Sequence, residues 1–183
     1  MEDKTKTTDS KIVLGLDVGT TTIKAIVISG NGNILGSSRV KTVIKVPEPH
    51  LEEVDHNQLW ESVINTLKLC IKDANVQPSD MKCMGLCTFR ASFITWSKQT
   101  GIPFHNIITW KDRRAENLAK QWDNGVQLQL LRLISGPAYM ITRNKIHQLH
   151  RNYHLDTTLC NVKLSWMLKN NLEVSQAAKK NDL

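Results

Sequence analysis

Long apolar runs, cysteines and aromatic residues are all sparse in this sequence, and each shortage excludes a class of protein. No stretch approaches the ~20 consecutive apolar residues that a membrane-spanning helix needs, so no membrane partner is expected. The first ten residues are polar and mixed in charge, which predicts no secretory signal and a flexible N-terminus over residues 1–11. We therefore expect a cytoplasmic protein.

Cysteine is rare, with four residues in a chain of 183, at Cys70, Cys83, Cys87 and Cys160. So few thiols are typical of a reducing compartment rather than of a disulfide-stabilised domain. Cys83 and Cys87 fall in a short apolar run that predicts a buried strand, in which thiols pack as small hydrophobic side chains. Because no second cysteine pair accompanies them, a zinc site is not expected.

Aromatic residues make up only 5% of the chain, whereas its net charge is +7, from 24 basic and 17 acidic residues. The basic excess is strongest between residues 111 and 180. Nucleic-acid binding would call for a recognised motif or for stacking aromatics among the basic residues, and the sequence has neither. We expect no nucleic-acid partner, and interpret the charge as a solvated helical face or a surface that favours an anionic nucleotide.

What the sequence does contain is a polar turn between two β-branched apolar runs, within residues 12–28. The runs predict the two strands of a β-hairpin, and glycine in the turn lets the backbone approach a ligand. Backbone N–H groups and threonine hydroxyls can form a nest for phosphate oxygens, while the aspartate can bind Mg²⁺ and the lysine can reach a phosphate. The candidate residues are Asp17, Gly19, Thr20, Thr21, Thr22 and Lys24. A plain structural turn uses the same residue types, and that alternative stays open.

The remaining pattern predicts an α/β domain with a mixed sheet whose faces are covered by helices. A third strand is expected after the hairpin, then a helix with Asp55 or Asn57 as its N-cap. Residues 136–159 show poor periodicity. The other predicted strands cover residues 82–88, 91–97 and 102–110, and the other predicted helices cover 111–122 (extending towards 133), 162–168 and 174–180.

Several motifs in this order resemble those of the FGGY carbohydrate kinases. The polar turn is similar to the first phosphate motif of that family, and the segment around Asp55 and Trp60 to the signature before its first long helix. The segment around Arg90 resembles the strand that carries the polyol-binding arginine of glycerol kinases. Within the family, the likeness is strongest to the animal glycerol kinase 5 branch. The matching segments are residues 14–21, 53–60, 88–101 and 104–114.

The resemblance implies a ribonuclease-H-like fold of the actin and hexokinase type, with residues 12–183 as the first of two domains. It implies ATP-dependent phosphorylation of a polyol or sugar hydroxyl, with ATP and Mg²⁺ as cofactors and the ion at Asp17. Arg90 and Trp110 are the implied substrate residues, since a guanidinium can donate to adjacent hydroxyls and an indole can pack on the C–H side of a polyol. Arg90 as a surface strand residue and Trp110 as a core aromatic remain alternatives. Assembly into a homo-oligomer stays open.

Two departures from the family pattern bear on the substrate. Where bacterial-type glycerol kinases have Gln-Arg-Glu, this chain has Phe89, Arg90 and Ala91, so a hydroxyl-binding carboxylate is missing. The substrate tyrosine expected upstream of Trp166 is not evident either, and Thr158 lies near its place. A site without those hydrogen bonds discriminates poorly, which puts glycerol itself in doubt.

Three histidines and the chain length complete the sequence-based expectations. His147, His150 and His154 have a spacing that could line one helical face, either as metal ligands or, as we favour, as a surface stripe. Family members are more than twice as long as these 183 residues, and their aspartate base lies in a Gly-Asp-Gln-type motif that is not found here.

No catalytic residue is therefore assigned. We expect residues 12–183 to be an incomplete N-terminal domain, without the C-terminal domain, and with little or no turnover by itself, because phosphoryl transfer needs both sides of a cleft. A truncated non-catalytic binding or regulatory isoform is the alternative. A chaperone or actin relative would share the hairpin, but the motifs around Arg90 and Trp110 argue against it.

Overall fold

The structure, a computed structural model, describes residues 11–183. Its strands lie before residue 109, with one long helix among them, and five helices follow. The predicted flexible N-terminus falls almost entirely on residues 1–10, which lie outside the described residues. The described residues divide into two compact units, the first formed by residues 11–45 and 53–90 and the second by residues 46–52 and 91–183. The elements are β1 (Ile12–Val18), β2 (Thr22–Ser29), β3 (Ile34–Lys41), β4 (Glu53–Val54), α1 (His56–Ala74), β5 (Met81–Thr88), β6 (Ile107–Ile108), α2 (Glu116–Asp123), α3 (Val126–Thr142), α4 (Lys145–Asn152), α5 (Cys160–Asn170) and α6 (Leu172–Lys179).

The first unit is built on a mixed four-stranded sheet in the order β3-β2-β1-β5. The first three strands are antiparallel neighbours, as their sequence order and turn signals predict, and β5 pairs with β1 in parallel. This parallel pairing requires a crossover connection, which α1 provides. The predicted α/β class with a mixed sheet is therefore confirmed.

One face of this sheet packs against α1, and strand alternation decides which residues it buries. The buried apolar side chains of the two central strands are Leu14, Leu16, Val18, Ile23, Ala25 and Val27. Helix α1 begins after Asp55, whose carboxylate accepts hydrogen bonds from the backbone N–H groups of Asn57 and Gln58, both at 3.0 Å. Asp55, one of the two predicted N-caps, is thus the observed cap.

Strand β5 is the edge of the sheet, and its residues from Lys82 to Thr88 are exposed. The prediction that Cys83 and Cys87 lie in a buried strand is therefore wrong. An apolar run indicates burial only where other elements cover both faces of the strand, and the described residues of this unit leave β5 paired on one edge alone.

Thiol reactivity tests this arrangement directly. Cys83 and Cys87 are exposed, whereas Cys70 is fully buried in α1, and burial raises the pKa of its thiol. Because the thiolate is the reactive form, a disulfide-exchange reagent should modify the two β5 cysteines rapidly and Cys70 only on unfolding. The rapid phase should disappear in a Cys83→Ser/Cys87→Ser variant. Rapid modification of Cys70 in the folded chain would contradict the packing of α1 on the sheet.

The second unit contains the five helices α2 to α6 together with irregular segments. The strand predicted over residues 91–97 is absent: only isolated bridges form there, Phe93 with Ile108 and Trp96 with Pro103. The strand predicted over residues 102–110 shortens to β6. Local apolar composition suggests strands in both places, but a strand persists only where a neighbour supplies a continuous ladder of hydrogen bonds.

Helix boundaries in the second unit differ from those predicted. The helix expected from residue 111 begins only at Glu116, because the preceding residues form turns around the carboxylate of Asp112. The predicted extension of this helix towards residue 133 falls on a separate helix, α3, and the end of α3 and all of α4 lie in the region of poor periodicity. Several apolar side chains of these helices are exposed, so no clean amphipathic pattern marks them. Helices α5 and α6 confirm the last two predicted helices. Among the described helices, none is both long and apolar enough to cross a membrane.

Candidate functional site

The candidate phosphate turn connects β1 to β2 and is held in shape from outside. The backbone N–H of Gly19 donates to the carbonyl of Thr22 at 3.0 Å, closing the turn. The Thr42 hydroxyl donates to the carbonyl of Gly19 at 2.7 Å, and the Thr42 N–H donates to the carbonyl of Thr21 at 3.1 Å. Thr42 follows β3 directly, so the strand beside the hairpin fixes its turn. Sequence reasoning missed Thr42, because nothing local marks a residue twenty-three positions away as a partner.

Position 19 requires glycine because the turn leaves no space for a side chain, and not because of unusual backbone dihedral angles. A Cβ atom there would lie 2.8 Å from the carbonyl oxygen of Thr22, closer than real contacts allow. Because the Gly19 N–H is used within the turn, the donors left for a ligand are those of Thr20 and Thr21. Among the described residues, no hydrogen bond involves the N–H groups or hydroxyls of these two threonines. Thr20 is half-buried and Thr21 exposed, so both are accessible to a ligand.

Asp17 and Lys24 lie directly opposite each other on β1 and β2, on the sheet face opposite α1. Lys24 is in turn opposite Arg39 on β3, and Asp17 is opposite Cys87 on β5. The row therefore places the carboxylate of Asp17 next to Lys24, with the second cation, Arg39, one strand further away, in a groove of about 820 Å³ that all four residues line. Sequence reasoning missed Arg39. The burial pattern of β3, in which Gly36 is buried and Ser38 half-buried, indicates that Arg39 lies on the opposite face of the sheet. It does not indicate which residue of β2 lies opposite Arg39.

The residues around Asp17 fit Mg²⁺ only as the partner of a bound phosphate. The described residues contain no group of three His, Cys, Asp or Glu side chains that could hold a metal ion by themselves. Mg²⁺ in kinase-type sites is commonly bound through one or two carboxylates together with phosphate oxygens and waters, and one carboxylate next to a phosphate-type turn matches that donor set.

The histidine stripe does not form a metal site in the described residues. The rings of His147 and His150 meet edge to face at 6.4 Å, whereas the ring of His154 approaches Asp123, with Nδ1 3.2 Å from a carboxylate oxygen. His154 therefore has an acidic neighbour thirty-one positions away in the chain, which the local sequence does not indicate. Asp123 also accepts from the Leu155 N–H and from Arg132, and these bonds lower its pKa to about 2.

Arg90 lies at the same edge of the sheet as the phosphate turn. Strands β1 and β5 are parallel, and their last residues, Val18 and Thr88, are paired. The phosphate turn follows Val18, and Arg90 follows Thr88 by two residues in a bend. Arg90 is exposed and is not on a strand, which corrects that alternative. Ligands of open α/β sheets commonly bind beyond the carboxyl ends of parallel strands, and both candidate segments emerge there.

Trp110 belongs to the second unit, in a turn closed by the Asp112 N–H donating to the Thr109 carbonyl at 3.2 Å. The Trp110 N–H donates to the Ser92 hydroxyl at 3.1 Å, and the ammonium of Lys111 lies 5.5 Å from the ring centroid. With 40% of the residue exposed, Trp110 is not a core aromatic. The backbone of Trp110 is thus fixed by hydrogen bonds, while its exposed indole is available for ligand contact.

A buried ion pair supports the turn that carries Trp110. Asp112 is fully buried, and both of its oxygens accept from the guanidinium of Arg114 at 2.8 Å. They also accept from the backbone N–H groups of Glu52, at 2.8 Å, and Arg114, at 3.0 Å. Burial by itself would raise the pKa of Asp112, but the hydrogen bonds from Arg114 and Glu52 outweigh it and hold the pKa below its usual value.

Comparison with known proteins decides the family. The sequence model of the N-terminal domain of the FGGY family of carbohydrate kinases matches residues 12–181. This chain belongs to the FGGY family. It is 35% identical to glycerol kinase 5 of Mus musculus over 173 residues, which are 94% of this chain and 32% of that protein. Against a glycerol kinase of Rhizobium rhizogenes it is 31% identical over 158 residues, 86% of this chain and 28% of that protein.

Solved structures of sugar and polyol kinases share the fold. The crystal structure of Plasmodium falciparum glycerol kinase with ADP matches with a TM-score of 0.74 and 21% identity, over 94% of this chain and 31% of that one. A gluconate kinase of Lactobacillus acidophilus matches with a TM-score of 0.71 and 18% identity, over 91% and 30%. The expected ribonuclease-H-like fold of the family's first domain is thus confirmed. The chain spans about a third of the length of the relatives it matches.

Proposed function

We propose that this FGGY chain provides the phosphate-binding and polyol-binding residues of an ATP-dependent kinase that acts on a polyol or sugar hydroxyl. One observation supports this most strongly: the phosphate turn and Arg90 leave the carboxyl ends of two adjacent parallel strands, at the paired residues Val18 and Thr88. A phosphate donor and a hydroxyl acceptor must meet for transfer, and this sheet edge has a candidate residue for each. Membership of a carbohydrate kinase family agrees with it.

ATP and Mg²⁺ would be bound by the hairpin. Thr20, Thr21 and Thr22 would donate to phosphate oxygens through hydroxyl and N–H groups, and Lys24 would add a positive charge. Asp17 would bind Mg²⁺ together with the phosphates, and the ion would neutralise charge that develops during transfer. We add Arg39 to these residues, since it lies opposite Lys24 in the same groove.

Arg90 and Trp110 are the residues that we propose for contact with the polyol. A guanidinium can donate to adjacent hydroxyls, and an indole face with 40% of its residue exposed can cover C–H groups. Phe89 and Ala91 flank Arg90 without a carboxylate, so we propose a polyol or sugar other than glycerol as the preferred substrate. The described residues include no assigned base, and we propose that the 183-residue chain binds its ligands with little turnover.

Binding measurements on this chain test the proposal. Calorimetric titration with MgADP should show binding that Asp17→Ala and Lys24→Ala each weaken by about 10–100-fold, since each removes a charge-assisted contact. Titration with a panel of polyols and sugars should show binding that Arg90→Ala weakens by a similar factor while MgADP affinity is kept. Glu61→Ala, an exposed carboxylate on α1, is the matched control and should change neither affinity.

Three outcomes would contradict parts of this proposal. Failure of the unmodified chain to bind either MgADP or any polyol, together with a stable partner in a pull-down, would favour the non-catalytic regulatory isoform. Equal loss of both affinities in Arg90→Ala would argue against a separate polyol contact. Robust ATP consumption by the 183-residue chain with any member of the panel would show that it has a base we did not assign.

A further inference from the structure

The second unit buries a lysine completely. Lys163 on α5 is 0% exposed, although lysine is among the residues least often buried without a charged partner. Its ammonium donates to two backbone carbonyls, that of Thr109 at 2.7 Å and that of Ala91 at 3.1 Å. Asp112, Asp156 and Cys160 are close enough to favour its charge and Arg114 to oppose it, and burial outweighs them and lowers its pKa.

Burying an ammonium in this way is costly for stability, so its retention needs another explanation. A methionine of similar length could fill the same space without desolvating a charge. What methionine could not do is donate to the two carbonyls. The role of Lys163 therefore concerns the two backbone segments that contain these carbonyls.

The first segment contains a strained residue next to Arg90. Ala91 has a φ of 54°, in the left-handed region that residues other than glycine rarely adopt and that costs on the order of 1 kcal/mol or more. The bond from Lys163 holds the carbonyl of this residue. Ser92, the next residue, accepts the backbone N–H of Trp110 through its hydroxyl. The segment is thus fixed at Ala91 by Lys163 and at Ser92 by Trp110.

The second segment is the turn that carries Trp110. The carbonyl of Thr109 accepts both the N–H of Asp112, which closes the turn, and the ammonium of Lys163. Trp110 lies between these anchored residues, and its exposed indole contacts the ammonium of Lys111 at 5.5 Å from the ring centroid. One buried side chain therefore connects the residue after Arg90 with the residue before Trp110.

We infer that Lys163 is a positioning residue for substrate binding: its ammonium holds the carbonyls of Ala91 and Thr109, the residues directly after Arg90 and directly before Trp110. The inference rests on the proposed function, since it assigns Arg90 and Trp110 to the substrate. Lys163 touches no substrate itself. A shift of about 1 Å in such a backbone is enough to weaken a well-oriented interaction greatly.

The test compares Lys163→Met with Lys169→Met, an exposed lysine on the same helix. In calorimetric titrations, Lys163→Met should bind the polyol selected by the panel at least ~10-fold more weakly and MgADP within ~2-fold of the unmodified chain. The indole ¹⁵N signal of Trp110, assigned with Trp110→Phe, should shift while that of Trp60 stays in place. Lys169→Met should leave both affinities and both signals unchanged.

A second substitution provides a rescue. Glycine adopts positive φ without steric cost, so Ala91→Gly in the Lys163→Met background should restore part of the polyol affinity. If Lys163→Met folds poorly, the double variant still tests the inference, because relief of the backbone strain at position 91 should restore folding and part of the polyol binding. Failure of the double variant to fold would assign Lys163 to general packing and overturn the inference.

The remaining outcomes separate this inference from the function on which it rests. No polyol binding by the unmodified chain would defeat the proposed function and the inference with it. Polyol binding that Lys163→Met leaves within ~2-fold would overturn the inference alone. An equal loss of polyol and MgADP affinity would also overturn it, because a positioning role at the polyol residues leaves the phosphate turn intact.

Discussion

Replacing Asp112 by alanine should destabilise the chain by about 3–5 kcal/mol, because it removes the buried carboxylate to which two nitrogen atoms of the Arg114 guanidinium donate. The side chains of Asp112 and Arg114 are only 0% and 9% exposed, and alanine would also strip the backbone N–H of Glu52 of its acceptor. Urea unfolding followed by circular dichroism measures the change. A loss below about 1 kcal/mol would show that water replaces the carboxylate and that the pair is not truly buried.

Glu116→Ala is the matched control for this prediction. Glu116 pairs with Arg113 and Lys120 at 2.8 Å each, the same distance as in the buried pair, but its partners are 50% and 67% exposed. Exposed pairs contribute about 0–1 kcal/mol, so the control should lose little stability. Both carboxylates pair with a guanidinium at the same distance, so the contrast measures the effect of burial together with that of the two backbone N–H groups that donate to Asp112.

The stability difference between the unmodified chain and Asp112→Ala should depend on pH. Since the pKa of Asp112 is lower in the folded chain than its usual value of 3.8, the unfolded carboxyl binds protons more readily. The contribution of Asp112 is therefore fully present above about pH 4 and declines as the pH falls through the lowered pKa of the folded state. The gap between the two proteins should narrow on acidification, and a gap that widened there would contradict the sign of this shift.

Replacing Gly36 by alanine should destabilise the first unit by about 1–3 kcal/mol or more, because α1 leaves no space for a side chain there. A Cβ atom at this position would lie 2.3 Å from the backbone nitrogen of Ala74 and 2.7 Å from its Cβ. These are rigid atoms of the helix, so either α1 or β3 must move. Urea unfolding would measure the loss, and the buried thiol of Cys70, which contacts the Gly36 carbonyl at 3.6 Å, should become more reactive.

Gly85→Ala is the control within the same sheet. A Cβ atom at Gly85 on β5 would meet nothing within 4 Å, so the substitution should be neutral or should stabilise by ~0.5–1 kcal/mol through the unfolded chain. If both glycine variants lost similar stability, the loss would reflect strand conformation in general. The close approach of α1 to β3 would then not be the cause.

Local sequence signals predicted the first unit well, because most of its elements are indicated by residues that are contiguous in the sequence. The apolar alternation of β1 and β2 and the polar turn between them are contiguous in sequence, and the Asp55 cap marks the start of α1. The candidate phosphate residues could be named for the same reason, since all of them lie within residues 17–24. Prediction failed at β5, where an apolar run became an exposed edge, because burial depends on neighbours that the run does not encode.

In the second unit, contacts between distant residues decided what local pattern could not. The apolar run at residues 91–97 forms isolated bridges instead of a strand, and Ala91 takes a positive φ that its side chain disfavours. The Lys163 hydrogen bond to the Ala91 carbonyl spans seventy-two positions, so no pattern around either residue indicates it. The same holds for Asp112, whose carboxylate accepts from Glu52 sixty positions away.

The sequence by itself thus indicated the family and, through that resemblance, the ribonuclease-H-like fold, and it named candidate residues for phosphate and polyol, because the motifs that carry the resemblance are contiguous in the sequence. Only the tertiary structure decided that Thr42 shapes the phosphate turn, that Arg39 joins Lys24, and that Lys163 ties the segments beside Arg90 and Trp110. These depend on register and on hydrogen bonds between residues far apart in the chain. Such bonds form only once folding has brought their partners together.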